Sequence, residues 1–305
     1  MFKRLLILIV GLLLIIPAYA QDLSDEEMGY ISVIDTALEV TFNADSFRLT
    51  GEQVIDQDID VEGVPFESNI TLLVEADYIN VNGKQDTYLV MDQVVNQVSG
   101  GQTVDVMLIQ EMLLLDSELF IRFSDISPAS IASLYPASWI SFEEEAANYQ
   151  GLAIINGEQF LDLLDAQQLS APFSSLSSII TEVTQQGSIE INEQMMDVYE
   201  TTLDASLLFS DEYVDEAMGV VDFEAMGVDM SDISVEDGGF VRYVYFIGQD
   251  DGFIHRVESE ITLGMTMNGT AMGVSSDVVL EQTMNQFFDY YDFNEDITLP
   301  TPDNS

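Results

Sequence analysis

Apolar side chains occupy every second position over long segments of this chain, a period that favours β-strands with one buried face. In residues 70–78 the apolar positions of one parity are Ile70, Leu72, Val74, Ala76 and Tyr78. The runs 86–98, 103–115 and 118–124 continue as strands, with Asn82-Gly83 and Gly100-Gly101 as turns between them. This half of the chain is therefore predicted to form an antiparallel meander.

The same period returns in the second half. After Gly187 the apolar residues of one parity are Ile189, Ile191, Met195, Tyr199, Leu203, Leu207 and Phe209. Two long strands, 240–248 and 254–267, follow around an Asp250-Asp251-Gly252 turn, and a last strand covers 276–291. Because strands and helices do not alternate one by one, a parallel sheet is not expected.

Two regions have helical spacing. Residues 24–40 begin with Ser24 as a candidate N-cap and Glu27 three residues later, the pattern of a capping box. Residues 157–183 are predicted to form two short helices separated by Pro172. The predicted fold class is thus α+β: one strongly curved antiparallel β-sheet with helices covering its concave face.

The charge balance restricts function. Seven Lys and Arg residues face 55 Asp and Glu residues, a net charge of −48 that would repel nucleic acid and anionic headgroups. The absence of Cys excludes thiolate catalysis and Cys-ligated metal sites, and His255 is the only histidine. We therefore expect a non-enzymatic protein with no catalytic residues, no cofactor and no specific metal site.

The first twenty residues have the features of an export signal. Lys3 and Arg4 precede an apolar run from Leu5 to Ile16, and Ala18-Tyr19-Ala20 matches a signal-peptidase site. We expect cleavage after Ala20, one domain over 21–302, a disordered tail at 303–305, and a secreted or cell-envelope location. An exported chain without Cys favours a bacterial origin.

The order of several motifs resembles a known superfamily. A first helix and a meander lead to a Trp-bearing segment, Ser138-Trp139-Ile140, followed by the 157–183 helical section and a second set of strands. One of these strands opens with Asp251-Gly252-Phe253-Ile254-His255-Arg256-Val257, and the chain ends with Tyr291-Asp292-Phe293-Asn294, then Ile297 and Pro300. This order, over most of 25–302, is similar to that of the periplasmic carrier LolA and the mycobacterial LppX/LprG-type lipoproteins.

The resemblance implies an incompletely closed antiparallel β-barrel with helices in its concave side and an apolar cavity for acyl chains between them. It would make the chain a carrier or binding protein for a lipid-like ligand. Mycobacterial members carry an acylated Cys after the signal, whereas this chain has Ala20-Gln21, so we expect a non-lipidated, acidic variant.

Same-parity strand residues are the candidates for lining that cavity, since methionine and aliphatic side chains adapt to ligands of variable shape. The predicted lining residues are Leu72, Val74, Tyr78, Met107, Met195, Ile261, Leu263, Met265 and Met267. The same residues could equally form an ordinary core. The alternative function is therefore an extracellular structural or interaction protein of the same fold, with a filled core and an acidic, cation-binding surface.

A run of alternating acids resembles part of a calcium-binding loop. Asp56, Asp58 and Asp60 precede Glu67, but Val61 stands where an EF-hand requires glycine. Alternating acids on the solvated face of a strand explain the pattern as well. We expect only weak binding of divalent cations by the acidic surface.

The charge balance also predicts salt-dependent stability. Because repulsion among 55 acidic side chains weakens when salt shortens the screening length, the melting temperature should rise with added NaCl. Millimolar Ca²⁺ or Mg²⁺ should raise it more steeply. Calorimetric scans at constant pH provide the measurement, and a melting temperature indifferent to both salts would contradict the prediction.

Overall fold

The chain forms one large antiparallel sheet, as the two-residue period predicts. A computed structural model describes residues 23–81, 84–99, 102–149, 180–205, 233–236, 238–268 and 277–302. These residues form a 12-stranded sheet with few helices. Outside the described residues lie the predicted helices within 157–179 and the stretch 206–232 with Leu207 and Phe209. The predicted turns Asn82-Gly83 and Gly100-Gly101 lie outside them as well.

The elements follow in chain order. They are α1 (Asp25–Phe42), β1 (Ser46–Val61), β2 (Val64–Val81), β3 (Lys84–Ser99), β4 (Gln102–Leu115), β5 (Glu118–Ser127), a 3₁₀ turn (Ala129–Leu134), β6 (Ile140–Ser141), α2 (Phe142–Glu145), a second 3₁₀ turn (Ala146–Asn148), β7 (Ile180–Ile191), β8 (Gln194–Asp204), β9 (Ile233–Val235), β10 (Phe240–Gly248), β11 (Ile254–Met267) and β12 (Val278–Tyr291).

The sheet consists of two meanders joined through the first and last strands. Its order is β6-β5-β4-β3-β2-β1-β12-β11-β10-β8-β7, and β9 pairs with the end of β11. Strand β1 pairs with β12 from Arg48 opposite Tyr291 to Val61 opposite Val278. Within the described strands, β6 and β7 end the order without pairing with each other, so the sheet is curved but not closed. The predicted fold class is confirmed.

Helix α1 lies against one face of the sheet, which we call the inner face. Its predicted capping box is present: the Glu27 amide donates to the Ser24 hydroxyl, and the Glu27 carboxylate accepts from the Ser24 amide at 2.8 Å. These bonds, first the one from the Ser24 backbone, lower the pKa of Glu27. The buried residues Ile31, Ile34 and Ala37 share a cluster with strands from both halves of the sheet. No helix among the described segments is long and apolar enough to cross a membrane.

The helical prediction fails at the end of 157–183, where residues 180–183 belong to strand β7. Ile180 and Val183 are three residues apart and both buried, a spacing that resembles one face of a helix. In the structure a register shift between Ile180 and Glu182 inserts one extra residue into the pairing with β8. The resulting bulge brings both side chains to the same face of a strand.

A glycine permits the close approach of β1 and β12. Gly51 lies opposite Phe288, and the Phe288 ring occupies the space that a Cβ atom at position 51 would need. The Phe287 carbonyl oxygen would lie 2.6 Å from the same atom. Only glycine therefore fits at this position without moving the ring or the strand.

We expect Gly51→Ala to destabilise the protein by about 1–3 kcal/mol, the usual range for overpacking a core. Gly29→Ala is the matched control, because a Cβ atom there meets nothing within 4 Å and alanine favours the helix. Urea unfolding should give a lower midpoint for the first variant and an equal or higher one for the second. A Gly51→Ala midpoint equal to that of wild type would show that Phe288 moves aside freely.

Candidate functional site

The inner face is organised in rows that run across the strands. Because neighbouring strands pair in continuous register, inward side chains at paired positions form rows, and consecutive rows are about 7 Å apart along a strand. One row, the central apolar row, crosses eight strands from β8 to β4. Its members are Leu203, Val241, Ile261, Met284, Ile55, Ile70, Val95 and Val106. All but Val106 are buried.

Polar rows flank the central apolar row on both sides. The first polar row consists of Thr201, Tyr243, Ser259, Gln286 and Gln53 on five neighbouring strands. The second polar row consists of Gln282, Gln57, Ser68 and Gln97. Two members of the second row are bonded to each other, since the Gln57 amide donates to the Gln282 carbonyl oxygen at 3.4 Å. The Gln53 amide contacts the Met284 sulfur.

Three hydroxyls in these rows have no partner. Thr201 is 0% exposed, Ser68 5% and Ser259 6%, and the side-chain oxygen of each lacks a hydrogen-bond partner in the described structure. Burying a hydroxyl without a hydrogen bond costs about 1–3 kcal/mol. The inner face therefore carries unused hydrogen-bonding capacity beside an apolar surface.

Most of the predicted lining residues lie on this inner face. Ile261, Leu263, Met265 and Met267 belong to the buried cluster around α1. A second buried cluster, at the end of the sheet near the C-terminus of α1, contains Leu72, Val74 and Tyr78. The structure thus buries seven of the nine predicted residues on this face, although in two separate clusters.

The other two predicted residues are exposed and do not share that environment. Met107 is 41% exposed on the opposite face, which we call the outer face, because it pairs with Val94 while its neighbour Val106 points inward. Met195 has the parity of Tyr199 but lies beside the turn between β7 and β8 and is 42% exposed. Alternation predicts the face on which a residue lies, but not whether that part of the face is covered.

Two of the sequence motifs meet at the end of the sheet where α1 finishes. The ring of Phe253 stacks on that of Phe293 at 4.2 Å, and the edge of His255 contacts the same Phe293 ring. The Ile254 amide donates to the Thr41 hydroxyl at 2.8 Å. These contacts fasten the start of β11 to the end of α1 and to the segment after β12.

The segment after β12 is also tied to the start of β1. The Asn294 side-chain oxygen accepts from the Asp45 amide, and the Asn294 amide donates to the Ser46 carbonyl, both at 2.8 Å. The Ser46 hydroxyl donates to the Glu295 carbonyl at 2.6 Å. The Tyr291-Asp292-Phe293-Asn294 motif therefore has a structural role.

His255 takes part in a small polar network with Asp251 and Gln194. Its Nε2 atom lies 3.0 Å from an Asp251 carboxylate oxygen and 3.2 Å from the Gln194 amide. Gln194 also donates to Asp251 at 2.8 Å. These contacts connect the turn before β11 to the start of β8.

The four arginines of the described residues lie on the outer face and are all paired with carboxylates. Arg256 makes a two-point contact with Asp289 at 2.6 and 2.9 Å. Arg48 pairs with Asp77 at 3.1 Å, and Arg242 pairs with Glu260 at 2.7 Å. The three inner-face rows contain no charged side chain.

Arg122 forms the most buried of these pairs. Its guanidinium donates to Glu111 at 2.6 and 2.8 Å and lies under the Trp139 ring, 4.6 Å from its centre. Burial alone would raise the pKa of Glu111, but the hydrogen bonds from Arg122 and from the Tyr88 hydroxyl hold it below its ordinary value. Trp139, in the predicted Trp-bearing segment, thus packs on an ion pair of the outer face.

The alternating acids of β1 lie on the outer face, and two of them, Asp56 and Asp58, line a groove of about 600 Å³. Its carboxylates belong to Asp56, Asp58, Glu67, Glu236 and Glu281. Asp56 accepts a hydrogen bond from the Asn69 amide at 2.7 Å, and Asp60 accepts one from the Gly63 amide. Across the described residues, no three acidic or histidine side chains converge in an arrangement that could hold a metal ion. Asp56, Asp58 and Asp60 are exposed at alternate positions of β1, the arrangement of acids on the solvated face of a strand.

The polar rows were missed by sequence reasoning, although a signal was present. Gln53 and Gln57 lie two residues on either side of Ile55, and Gln282 and Gln286 do the same around Met284. In a strand, residues two apart share a face. The spacing therefore places polar side chains on the face that the apolar alternation predicts to be buried.

Comparisons with known proteins give matches among solved structures only. No protein-family model matches the chain, and no curated protein sequence matches it. LprF from Mycobacterium bovis is 14% identical, with a TM-score of 0.36, over 90% of this chain and 97% of that one. LppX, a lipoprotein from Mycobacterium tuberculosis, is 12% identical, with a TM-score of 0.32, over 91% and 100%. Lipovitellin, described for its lipid–protein interactions, is 10% identical, with a TM-score of 0.33, over 86% and 27%.

LprF, LppX and lipovitellin are thus what the chain is similar to, each at 14% identity or less. The similarity concerns the architecture of a large curved antiparallel sheet. The three rows of the inner face are described from the residues of this chain and not from the matched structures.

Buried tyrosines on the inner face should make the protein sensitive to alkali. Burial raises the pKa of Tyr78 and of Tyr243 to about 12, above the ordinary value of 10.0. Because the folded state holds the neutral form, this stabilisation is complete below pH 10 and is lost as the pH rises towards 12. Circular dichroism and tyrosinate absorbance should change together in that interval, whereas urea-unfolded protein should titrate near pH 10. Full ionisation at pH 10 without loss of structure would contradict this.

Proposed function

We propose that this protein is an exported, non-enzymatic carrier or binding protein for a hydrophobic, lipid-like ligand held on the inner face of the sheet. The observation that carries the proposal is the central apolar row, which is continuous over eight strands. Eight strands at about 4.8 Å spacing are wider than one helix of about 10 Å diameter. Among the described helices, α1 alone contributes buried side chains to this face.

An acyl chain fits this surface physically. It is as narrow as an aliphatic side chain and could lie between α1 and the sheet, with Met265, Met267 and Met284 adjusting to it. Each buried CH₂ group contributes about 0.8 kcal/mol, so affinity requires no charged contact. The proposed contact residues are Leu72, Val74, Tyr78, Ile261, Leu263, Met265 and Met267. Met107 and Met195 are not among them, because both side chains are exposed.

The signal-like residues 1–20 support export of the protein and cleavage after Ala20. A secreted or cell-envelope location follows from this export signal. The single continuous sheet supports one domain over 21–302.

The proposal is tested by uptake of an uncharged fluorescent apolar probe, N-phenyl-1-naphthylamine. Wild-type protein should enhance its fluorescence saturably, and Leu263→Trp should weaken binding at least tenfold because the indole occupies inner-face volume. Leu73→Trp is the matched control, since Leu73 is 47% exposed on the outer face of the same sheet. It should bind the probe as wild type does.

The same variants distinguish the carrier from a structural protein with a filled core. In a filled core the added indole of Leu263→Trp would overpack the interior and cost about 1–3 kcal/mol of stability. A wild-type protein that takes up no probe, together with a destabilised Leu263→Trp variant, would refute the carrier proposal and favour the structural alternative.

A further inference from the structure

The first polar row contains buried hydroxyl groups that packing does not require. Thr201 and Ser259 lie two strands apart, on either side of Tyr243, and their hydroxyl oxygens are buried without partners in the described structure. Next to Ser259 in the same row lies the amide side chain of Gln286, a residue that is 8% exposed. Alanine and valine would fill these two hydroxyl positions without the desolvation cost. Hydroxyl and amide groups in such a row can both donate and accept hydrogen bonds.

The charges of the protein limit what these groups could bind. The first polar row contains no cation, and the arginines of the described segments are paired with carboxylates on the outer face. A buried anion beside the row would be unpaired within a chain of net charge −48. The first polar row therefore suits an uncharged group that can form hydrogen bonds.

We propose that the first polar row binds the uncharged, hydrogen-bonding headgroup of an amphiphile, such as an ester or a hydroxyl, while the acyl chain lies along the central apolar row. This inference rests on the proposed carrier function and specifies its ligand class. The two rows are adjacent, because Ser259 and Ile261 are two residues apart on β11, as are Gln286 and Met284 on β12. A headgroup and the first carbons of its chain span that distance of about 7 Å.

Binding of an amphiphile at the first polar row requires helix α1 to move. The Tyr30 ring of α1 packs 5.8 Å from the Tyr199 ring, and Tyr199 lies two residues from Thr201 on β8. The hydroxyls are buried in this structure, so the amphiphile reaches them by displacing packing contacts. Its headgroup then provides the hydrogen bonds that the hydroxyls lack.

The test compares three probes of matched chain length by displacement of N-phenyl-1-naphthylamine: 1-monooleoylglycerol, oleate at pH 8, and 1-octadecene. Wild-type protein should bind the monoacylglycerol at least tenfold more tightly than either of the others. The double variant Thr201→Val/Ser259→Ala should lose about tenfold in affinity for the monoacylglycerol and keep its affinity for octadecene. Its ligand-free melting temperature should be equal to or above that of wild type, because no hydrogen bond is removed.

Ser68→Ala is the control, since Ser68 is an equally buried, unpartnered hydroxyl in the second polar row. It should leave the preference for the monoacylglycerol unchanged.

Equal or tighter binding of oleate, or a loss of monoacylglycerol affinity in Ser68→Ala but not in the double variant, would overturn the headgroup inference while the carrier function stands. If wild-type protein binds neither the fluorescent probe nor any amphiphile, the carrier function itself fails. The wild-type comparison decides the selectivity even if the double variant does not fold.

Discussion

Register across the sheet is the constraint on which the rest of this structure depends. The central apolar row requires eight strands to keep their alternation in step, since a slip of one residue in any strand would move its apolar side chains to the outer face. The pairing of β1 with β12 carries this alignment from one half of the chain to the other. Gly51 supports it locally, because it leaves room for the Phe288 ring.

The same alternation separates charge from the apolar interior. Residues of β1 point alternately to the two faces, so Asp56 and Asp58 lie outside while Ile55, Gln57 and Ile59 lie inside. Acidic side chains meet across the strands on the outer face, where Asp58 is opposite both Glu67 and Glu281. Such facing like charges weaken strand pairing. The four outer-face arginines, each in an ion pair, offset part of that repulsion locally.

Strands were predictable from the sequence because alternation is a local property. The bounds predicted for two strands, 240–248 and 254–267, agree with β10 and β11, and the capping box gave the start of α1 to within one residue. Bulges were not predictable, since the extra residue near Ile180 exists only relative to its partner strand β8. The exposure of Met107 and Met195 depends likewise on which parts of the sheet are covered. Unpartnered hydroxyls such as that of Ser259 depend on neighbours distant in sequence, and no pattern in the chain reports them.

The tie between the two ends of the domain affects when the fold can form. Strand β12 and the Asn294 segment are synthesised after all the other described strands, yet they pair with β1 and with Asp45 and Ser46. Until they emerge from the ribosome, β1 and β11 each have an unpaired edge facing the gap that β12 will fill. A nascent chain, or one truncated before β12, therefore exposes two long strand edges that could pair with other chains. Synthesis of β12 and the Asn294 segment removes this aggregation hazard.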